Sequence, residues 1–132
     1  IRGGEALDLL QALNTGHAGS MSTIHANSPL DALSRIETCA LLSGIDIPLS
    51  ALRAQVASAI GAIVHTARLS DGSRKVVSIA EVLPLERGEY RVRELHRWKT
   101  ASIAPDGTVC GGFEAGEAPS FVEEARIAGI EL

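Results

Sequence analysis

The sequence predicts an α/β chain in which helices fill the first half, an antiparallel β meander follows, and a short helix closes the C-terminus. Apolar residues recur at helical spacing in three segments before Gly61. After Gly61, β-rich runs alternate with tight turns that contain glycine. The chain has 132 residues, of which 45% are hydrophobic and 21% are charged, which is the composition of a folded domain with its own core.

The three helices are expected from their apolar periodicity and from their end signals. The first covers residues 5–14, and Gly16 suits the left-handed conformation that often follows a helix. The second begins after Ser28, a good N-cap that is followed by proline at the first helical position. The third opens at Pro48 and stops at Gly61.

Between the first two helices, the segment "SMSTIHA" (residues 20–26) is predicted to be a short, largely buried strand. The later strands are expected in "AIVHTARLS", "RKVVSIAEVLP" and "YRVRELHRW", which are joined through the turns "SDGS" and "ERGE". From about Lys99 the chain is rich in glycine and proline until the last short helix, "SFVEEARIAG". We therefore expect one part over residues 1–98 and a loosely packed extension over residues 99–132.

The net charge and the cysteine content of the chain exclude some classes of function. The formal net charge of −4 argues against a nucleic-acid binder that is held by general electrostatic attraction. Cys39 and Cys110 lack the spacing of metal ligands, and we interpret them as free thiols of a reducing compartment. No apolar run approaches the ~20 residues that a membrane-spanning helix needs. Because the chain starts at Ile1 and is helix-like within four residues, we expect it to be a segment of a longer protein.

The stretch "TGHAGSMSTIHANS" carries the chemistry that is most worth explaining. Thr23 and His25 lie near the carboxyl end of the predicted strand and share one of its faces, since they are two residues apart. A hydroxyl and an imidazole in that position can both donate to a phosphate oxygen, and ligands of α/β sheets bind at the carboxyl ends of strands. Serine and threonine also fill tight packing, and a single histidine is often a satisfied core or turn residue. The residues alone leave both interpretations open.

The run "TGHAGSMSTIHAN" resembles the histidine box of bacterial secretion ATPases without interruption. The closest subgroup is the CpaF-like ATPases of tight-adherence (Flp) pilus assembly, within the type II/type IV secretion ATPase superfamily. Arg2 and Glu5 match the segment that precedes the box in this family. The later run "LRAQVASAIGAIVHTARLSDGSRKVVSIAEV" and the "GGF" of the tail are also similar to it.

The resemblance implies the C-terminal part of a RecA-like P-loop NTPase core that uses ATP and Mg²⁺. The phosphate loop and the catalytic glutamate of that family precede the matching segment. The sequence contains no G-x-x-x-x-G-K-[ST], and no strand ending in glutamate precedes Arg2. We therefore expect this chain alone to bind ATP poorly and to hydrolyse none.

The resemblance also implies roles for individual residues. His25 would contact the γ-phosphate or the attacking water, Thr23 would help to position the same group, and Glu5 would lie near the metal-bound water. The nucleotide-binding residues would be Arg2, His17 and Ser20, and no residue is assigned as a direct metal ligand. Alternatively, Glu5 is an ordinary first-turn acid, Arg2 is a surface base, and His17 only complements a helix dipole.

The implied assembly is a homo-hexamer that meets a platform protein at the cytoplasmic face of the inner membrane. Three alternatives stay open: a conjugation or type IV secretion ATPase, a non-enzymatic module that binds such a ring, and a nucleic-acid-binding module. The last would use Arg91, Arg93 and Arg97, which we expect on one face of a strand, but neighbouring glutamates and the net charge make it the least favoured.

Overall fold

A computed structural model describes residues 1–16 and 19–130 of the chain. The described residues form three helices, a four-stranded sheet and a short last helix. Their bounds are α1 Glu5–Asn14, α2 Pro29–Leu41, α3 Leu49–Ala59, β1 Ala62–Arg68, β2 Arg74–Glu86, β3 Glu89–Ile103, β4 Val109–Ala115 and α4 Val122–Ile127. The strand order in the sheet is β1-β2-β3-β4. Within the two described ranges, every helix is too short or too polar to span a lipid bilayer.

The predicted helices and their end signals are confirmed. The side-chain oxygen of Ser28 accepts a hydrogen bond from the Asp31 N–H at 3.0 Å, as expected for an N-cap. Gly16 and Gly44, which follow α1 and α2, have φ values of +96° and +74°. Only glycine adopts this left-handed conformation without strain, and it ends each helix cleanly.

The prediction of a largely buried strand over residues 20–26 is wrong for the chain as described, where five of these seven residues are exposed. These residues are part of no helix or strand in the structure. A strand is defined by backbone pairing with a neighbour, and propensity cannot supply the neighbour. The stretch therefore forms a connection between α1 and α2.

The predicted hairpins are present. Gly72, in the turn between β1 and β2, has a φ of +81°. The turn between β2 and β3 has only Arg87 and Gly88 at its centre, with φ values of +52° and +81°. Two consecutive positive φ values indicate a type I′ turn, whose twist matches that of antiparallel strands.

The chain beyond Lys99 is more regular than its composition indicated. Strand β3 continues to Ile103, and the unpredicted strand β4 pairs with it antiparallel, with Trp98 opposite Phe113. The two rings meet edge to face with their centroids 5.8 Å apart. Gly111 is required here, because a Cβ atom on it would overlap the carbonyl group of Lys99.

The chain divides into two compact units that are interleaved in sequence. Unit 1 comprises residues 1–63 and 82–92, and unit 2 comprises residues 64–81 and 93–132. The core of unit 1 is aliphatic because the chain has few aromatic residues, and its fully buried larger side chains are Leu7, Leu10, Leu33, Leu52 and Val56. The domain boundary after residue 98 stays a prediction.

In unit 2, Asp71 connects the β1–β2 turn to the start of β4. Its carboxylate accepts hydrogen bonds from the Val109 N–H at 2.8 Å, from the Ser73 N–H at 2.9 Å and from the Ser73 hydroxyl at 2.6 Å. These bonds, with the Ser73 hydroxyl contributing most, lower the pKa of Asp71 from 3.8 to about 2. The folded protein therefore favours the ionised carboxylate.

We predict that Asp71→Asn lowers the free energy of unfolding at neutral pH and that this loss shrinks in acid. A lowered folded-state pKa gives stability that is present above the unfolded pKa of 3.8 and is lost as the pH falls toward about 2. Urea unfolding of both proteins at several pH values between 2 and 7 measures this, with the exposed loop variant Asp46→Asn as the control. A wild-type-to-variant difference that is constant over this range contradicts the assignment.

Candidate functional site

The N-terminal turn of α1 is closed by the side chain of Glu5. One carboxylate oxygen accepts hydrogen bonds from the Arg2 N–H at 2.7 Å and from the Gly3 N–H at 3.2 Å. The pKa of Glu5 lies below its usual range, chiefly because of the Arg2 N–H. Glu5 is thus an ionised group that satisfies backbone donors of its own helix start.

The glycine pair before α1 allows a close approach to the end of α2. A Cβ atom on Gly4 would lie 2.9 Å from the Cα of Ser43 and 3.1 Å from its nitrogen. Backbone atoms cannot rotate away as a side chain can. The sequence "RGGE" therefore lets the segment that carries Arg2 and Glu5 sit directly against the turn after α2.

A hydrogen bond from the N-terminal ammonium group links this segment to residues 19–27, the described part of the connection between α1 and α2, which we call the histidine-box connection. The nitrogen of Ile1 donates to the carbonyl oxygen of Thr23 at 2.7 Å. Ile1 and Ile24 also pack against the core of unit 1 as partly buried side chains. Two stretches that are more than twenty residues apart in sequence therefore run beside each other.

Exposure alternates along the connection. Thr23 and His25 are exposed, whereas Ile24 and Ala26 are half-buried. A period of two is the period of extended backbone, so the apolar side chains are turned inward and the two hydrogen-bonding side chains outward. The second half of the predicted strand thus keeps an extended alternation although it is not a strand.

The connection is fixed at its far end by the start of α2. The Asn27 N–H donates to the carboxylate of Asp31 at 2.8 Å, while the Asp31 N–H donates to the Ser28 hydroxyl at 3.0 Å. This arrangement is a variant of the capping box, in which the acidic side chain accepts from the N–H of Asn27, one residue before the N-cap Ser28. His25 therefore lies three residues before the N-cap residue Ser28.

The structure brings five of the six predicted site residues into two adjacent stretches. Arg2 and Glu5 lie at the start of α1, and Ser20, Thr23 and His25 lie in the connection. The sixth, His17, lies outside the described residues. The described hydrogen bonds of the Glu5 carboxylate are with the Arg2 and Gly3 N–H groups just before α1, which is a local structural role.

The described residues do not form a metal site by themselves. Across residues 1–16 and 19–130, no three His, Cys, Asp or Glu side chains are grouped as metal ligands. An open groove of about 550 Å³ in unit 1 is lined by Ala, Ser, Gly, Pro and aliphatic residues between Ala54 and Leu85, and it includes none of the predicted site residues.

Sequence reasoning missed a polar network in unit 1. Arg53 donates to the Glu37 carboxylate at 3.0 Å, and the Tyr90 hydroxyl donates to the same oxygen at 2.9 Å. Arg53 also reaches the Gly88 carbonyl at 3.1 Å and the Glu89 carboxylate at 3.2 Å. Burial and the bond to Glu37 raise the pKa of Tyr90, and the same carboxylate raises the pKa of Arg53. The partners lie up to 53 residues apart in the sequence, so no local sequence pattern predicts these contacts.

The arginines of β3 are paired with carboxylates. Arg91 lies 3.4 Å from Glu86, Arg93 contacts Glu81 and Glu117, and Arg97 pairs with Glu94. Burial raises the pKa of Glu94, but the bonds from Arg97 and Ser78 outweigh it and lower the pKa overall. These pairs reduce the positive charge that a nucleic-acid interface along this strand would require.

Comparison with known proteins now decides the family. A model of the family described as "Type II/IV secretion system protein" matches residues 1–108. The chain belongs to this family. The match includes α1, the histidine-box connection, α2, α3 and the first three strands, and it ends before β4.

Curated relatives agree with this assignment. The chain is similar to a putative conjugal transfer protein of Mycobacterium tuberculosis, at 41% identity over 98 residues, covering 74% of this chain and 26% of the relative. It is similar to the conjugal transfer protein TrbB of Rhizobium radiobacter, at 35% identity over 109 residues, covering 83% of this chain and 31% of that protein. The type IV secretion system protein PtlH of Bordetella pertussis is 41% identical over 88 residues, which cover 60% of this chain and 24% of PtlH.

The chain thus spans about a quarter to a third of the length of these relatives. The family confirms the coarser part of the sequence prediction, a type II/IV secretion protein. The narrower CpaF-like, Flp-pilus assignment and the RecA-like core stay predictions.

We predict that Gly4→Ala lowers the free energy of unfolding by about 1–3 kcal/mol, as overpacking against backbone does. Gly61→Ala is the matched control, because a Cβ atom there meets nothing within 4 Å and its φ is not positive. Urea unfolding of both variants measures the effect, and we expect the control to be unchanged or slightly more stable. Equal stabilities of the two variants would show that residue 4 is not closely packed.

Proposed function

We propose that the chain is the C-terminal part of the catalytic domain of a secretion ATPase and that it contributes the sensor side of the ATP site. The observation that carries the proposal is the histidine-box connection. Thr23 and His25 are exposed, and the stretch that bears them is held by the Ile1–Thr23 bond on one side and by the capping box on the other. The family match and the uninterrupted "TGHAGSMSTIHAN" motif support it.

The chemistry of these side chains fits one side of a polyphosphate. A threonine hydroxyl and a histidine N–H both donate to anionic oxygens, and an exposed arginine at position 2 adds positive charge. Donors on a firmly held segment lose little entropy when they bind, so they can distinguish a terminal phosphate from its absence. His25 would report the presence of the γ-phosphate, with Thr23 beside it, and Ser20 and His17 would complete the donor set.

The residues present do not fit Mg²⁺, because the described chain offers no group of ligands and the sequence has no phosphate loop. We therefore assign no Mg²⁺ ligand to this chain. Binding of ATP and its hydrolysis would require those elements from elsewhere in a longer protein.

Within the class, we propose a hexameric motor at the cytoplasmic face of the inner membrane that works with a platform protein. Flp-pilus assembly is our first candidate, because the chain continues past the hairpins into "GGFEAGEAPSFVEEARIAGI". Conjugal transfer or type IV secretion is the second candidate, and the names of the relatives favour it. A non-enzymatic module that binds the ring is the third, and an upstream reading frame without a GK[ST] loop would favour it.

We predict that His25→Ala, in a protein that also carries the phosphate loop, lowers ATP turnover by roughly 10²-fold and leaves ATP affinity largely intact. The reason is that a donor at the terminal phosphate acts on the transition state more than on the ground state. His96→Ala is the matched control, because His96 is an exposed histidine on β3. Steady-state turnover and nucleotide titration measure the two effects. Unchanged turnover in His25→Ala removes the residue from the mechanism.

A substitution of Glu5 can separate its structural role before α1 from a catalytic role. We predict that Glu5→Gln preserves the helix start, because the amide oxygen can still accept from the Arg2 and Gly3 N–H groups. If Glu5 also acts near the metal-bound water, turnover falls while the thermal unfolding temperature changes little. If turnover also stays near the wild-type value, Glu5 serves only as a cap, and the proposed catalytic role is wrong.

A further inference from the structure

The end of the chain lies outside the family match and is attached to unit 2 in an unusual way. We call residues 116–130 the C-terminal strap. It begins directly after β4 and includes α4. Its contacts with the rest of unit 2 are concentrated in its first five residues.

The base of the strap lies against the backbone of β3. The Gly116 N–H donates to the Leu95 carbonyl at 2.7 Å, and the Glu117 N–H donates to the Glu94 carbonyl at 3.2 Å. A Cβ atom on Gly116 would overlap the Glu94 carbonyl group. Glycine is therefore the residue that allows the chain to turn onto β3 at this point.

Glu81 holds the strap four residues further on. Glu81 is only 4% exposed. Its two carboxylate oxygens lie 3.2 and 3.0 Å from the Ser120 nitrogen, and the Ser120 hydroxyl donates to it as well. The strap thus supplies two donors, the N–H and the hydroxyl of Ser120, to a buried carboxyl group.

Arg93 completes the attachment from the neighbouring strand. Its guanidinium lies 3.8 Å from the Glu81 carboxylate, donates to the Ala118 carbonyl at 3.1 Å and lies 3.6 Å from the Glu117 carboxylate. Arg93 therefore contacts both Glu81 and the strap. If the strap departs, Arg93 and Glu81 lose strap partners together.

Beyond Ser120 the strap gains little from apolar burial. Helix α4 contains no buried residue, and Ile127 and Ile130 are 86% and 56% exposed. Burial of apolar area is the main source of stability in ordinary packing, and this helix has little of it, because only Val122 and Ala125 are half-buried. A segment of this kind belongs to the least stable part of a fold.

We propose that the C-terminal strap opens as a unit while the sheet of unit 2 stays folded, and that Glu81 is the latch that holds it closed. A buried carboxylate with only part of its partners is costly, so half-attached arrangements are disfavoured. The strap is then either closed, with Ser120 on Glu81, or open, with Glu81 hydrated and still beside Arg93 of the sheet. The proposal does not depend on ATP chemistry.

Hydrogen–deuterium exchange of the full chain tests this. We expect Glu81→Gln to speed exchange of the Gly116, Glu117 and Ser120 amides and of the α4 amides by about 10- to 100-fold, the range of a lost charge-assisted hydrogen bond. Amides in the β3–β4 pairing, such as that of Phe113, should exchange as in the wild type. Glu86→Gln is the control, because Glu86 is exposed and pairs with Arg91 outside the strap.

Two further variants keep the proposal testable if Glu81→Gln misfolds. Ser120→Ala removes one donor at an exposed position and should speed strap exchange in the same direction. Gly116→Ala should loosen the strap base, whereas Gly112→Ala, where a Cβ atom meets nothing within 4 Å, should not. Strap amides that exchange together with those of β3 and β4 in every protein overturn the separate opening. Unchanged strap exchange in Glu81→Gln or Ser120→Ala overturns the latch.

Discussion

The packing of three helices in unit 1 is the constraint on which the candidate site depends. Leu7 and Leu10 of α1, Leu33 of α2, and Leu52 and Val56 of α3 are almost completely buried in one cluster. Because α1 and α2 are fixed by this cluster, the ends of the connection between them are fixed as well. The connection need only be held at Thr23 and at the capping box to present Thr23 and His25 to solvent. An aliphatic core thus determines where polar chemistry can be placed.

Local signals in the sequence predicted much of this frame. Ser28 and Pro29 start α2, Gly16 and Gly44 follow helix ends with positive φ, and Arg87–Gly88 sets the hairpin. Each is a short-range effect, in which a residue type limits the backbone at its own position. The family resemblance could likewise be read from one contiguous motif. These features need no knowledge of distant partners.

The predictions of secondary structure that failed are those that depend on pairing with residues distant in the sequence. The prediction of a strand over residues 20–26 followed propensity, but a strand needs a pairing neighbour that the described chain does not provide. Strand β4 was missed for the opposite reason, because Gly111 and Gly112 weaken strand propensity while Gly111 is the residue that allows close pairing with β3. The sequence indicates how strongly each residue favours a strand. Whether a strand forms also depends on the segment that pairs with it.

The candidate site was likewise predicted only in part from the sequence. The motif identified Thr23 and His25 as donors to a phosphate on a strand that was predicted to be largely buried, and in the structure both side chains are exposed. Glu5 was predicted to act near a metal-bound water, with a first-turn acid as the alternative. Its observed bonds to the Arg2 and Gly3 N–H groups are those of the alternative. A carboxylate that caps a helix can also carry out chemistry with its second oxygen, so geometry alone leaves the catalytic role as a proposal.

Two carboxylates, the half-buried Glu37 and the buried Glu81, add directional bonds to the packing of this chain. Glu37 in unit 1 receives bonds from Arg53 on α3 and Tyr90 on β3, and Glu81 in unit 2 receives bonds from Ser120. Replacing such a group with an apolar side chain often preserves stability, but apolar contact lacks the direction of a hydrogen bond. Glu37 therefore orients α2, the helix whose N-terminus bears the histidine box, within a core built from interchangeable aliphatic residues. A few charged groups, such as Glu37, thus orient segments through directed hydrogen bonds. The buried leucines supply the apolar packing that holds the helices together.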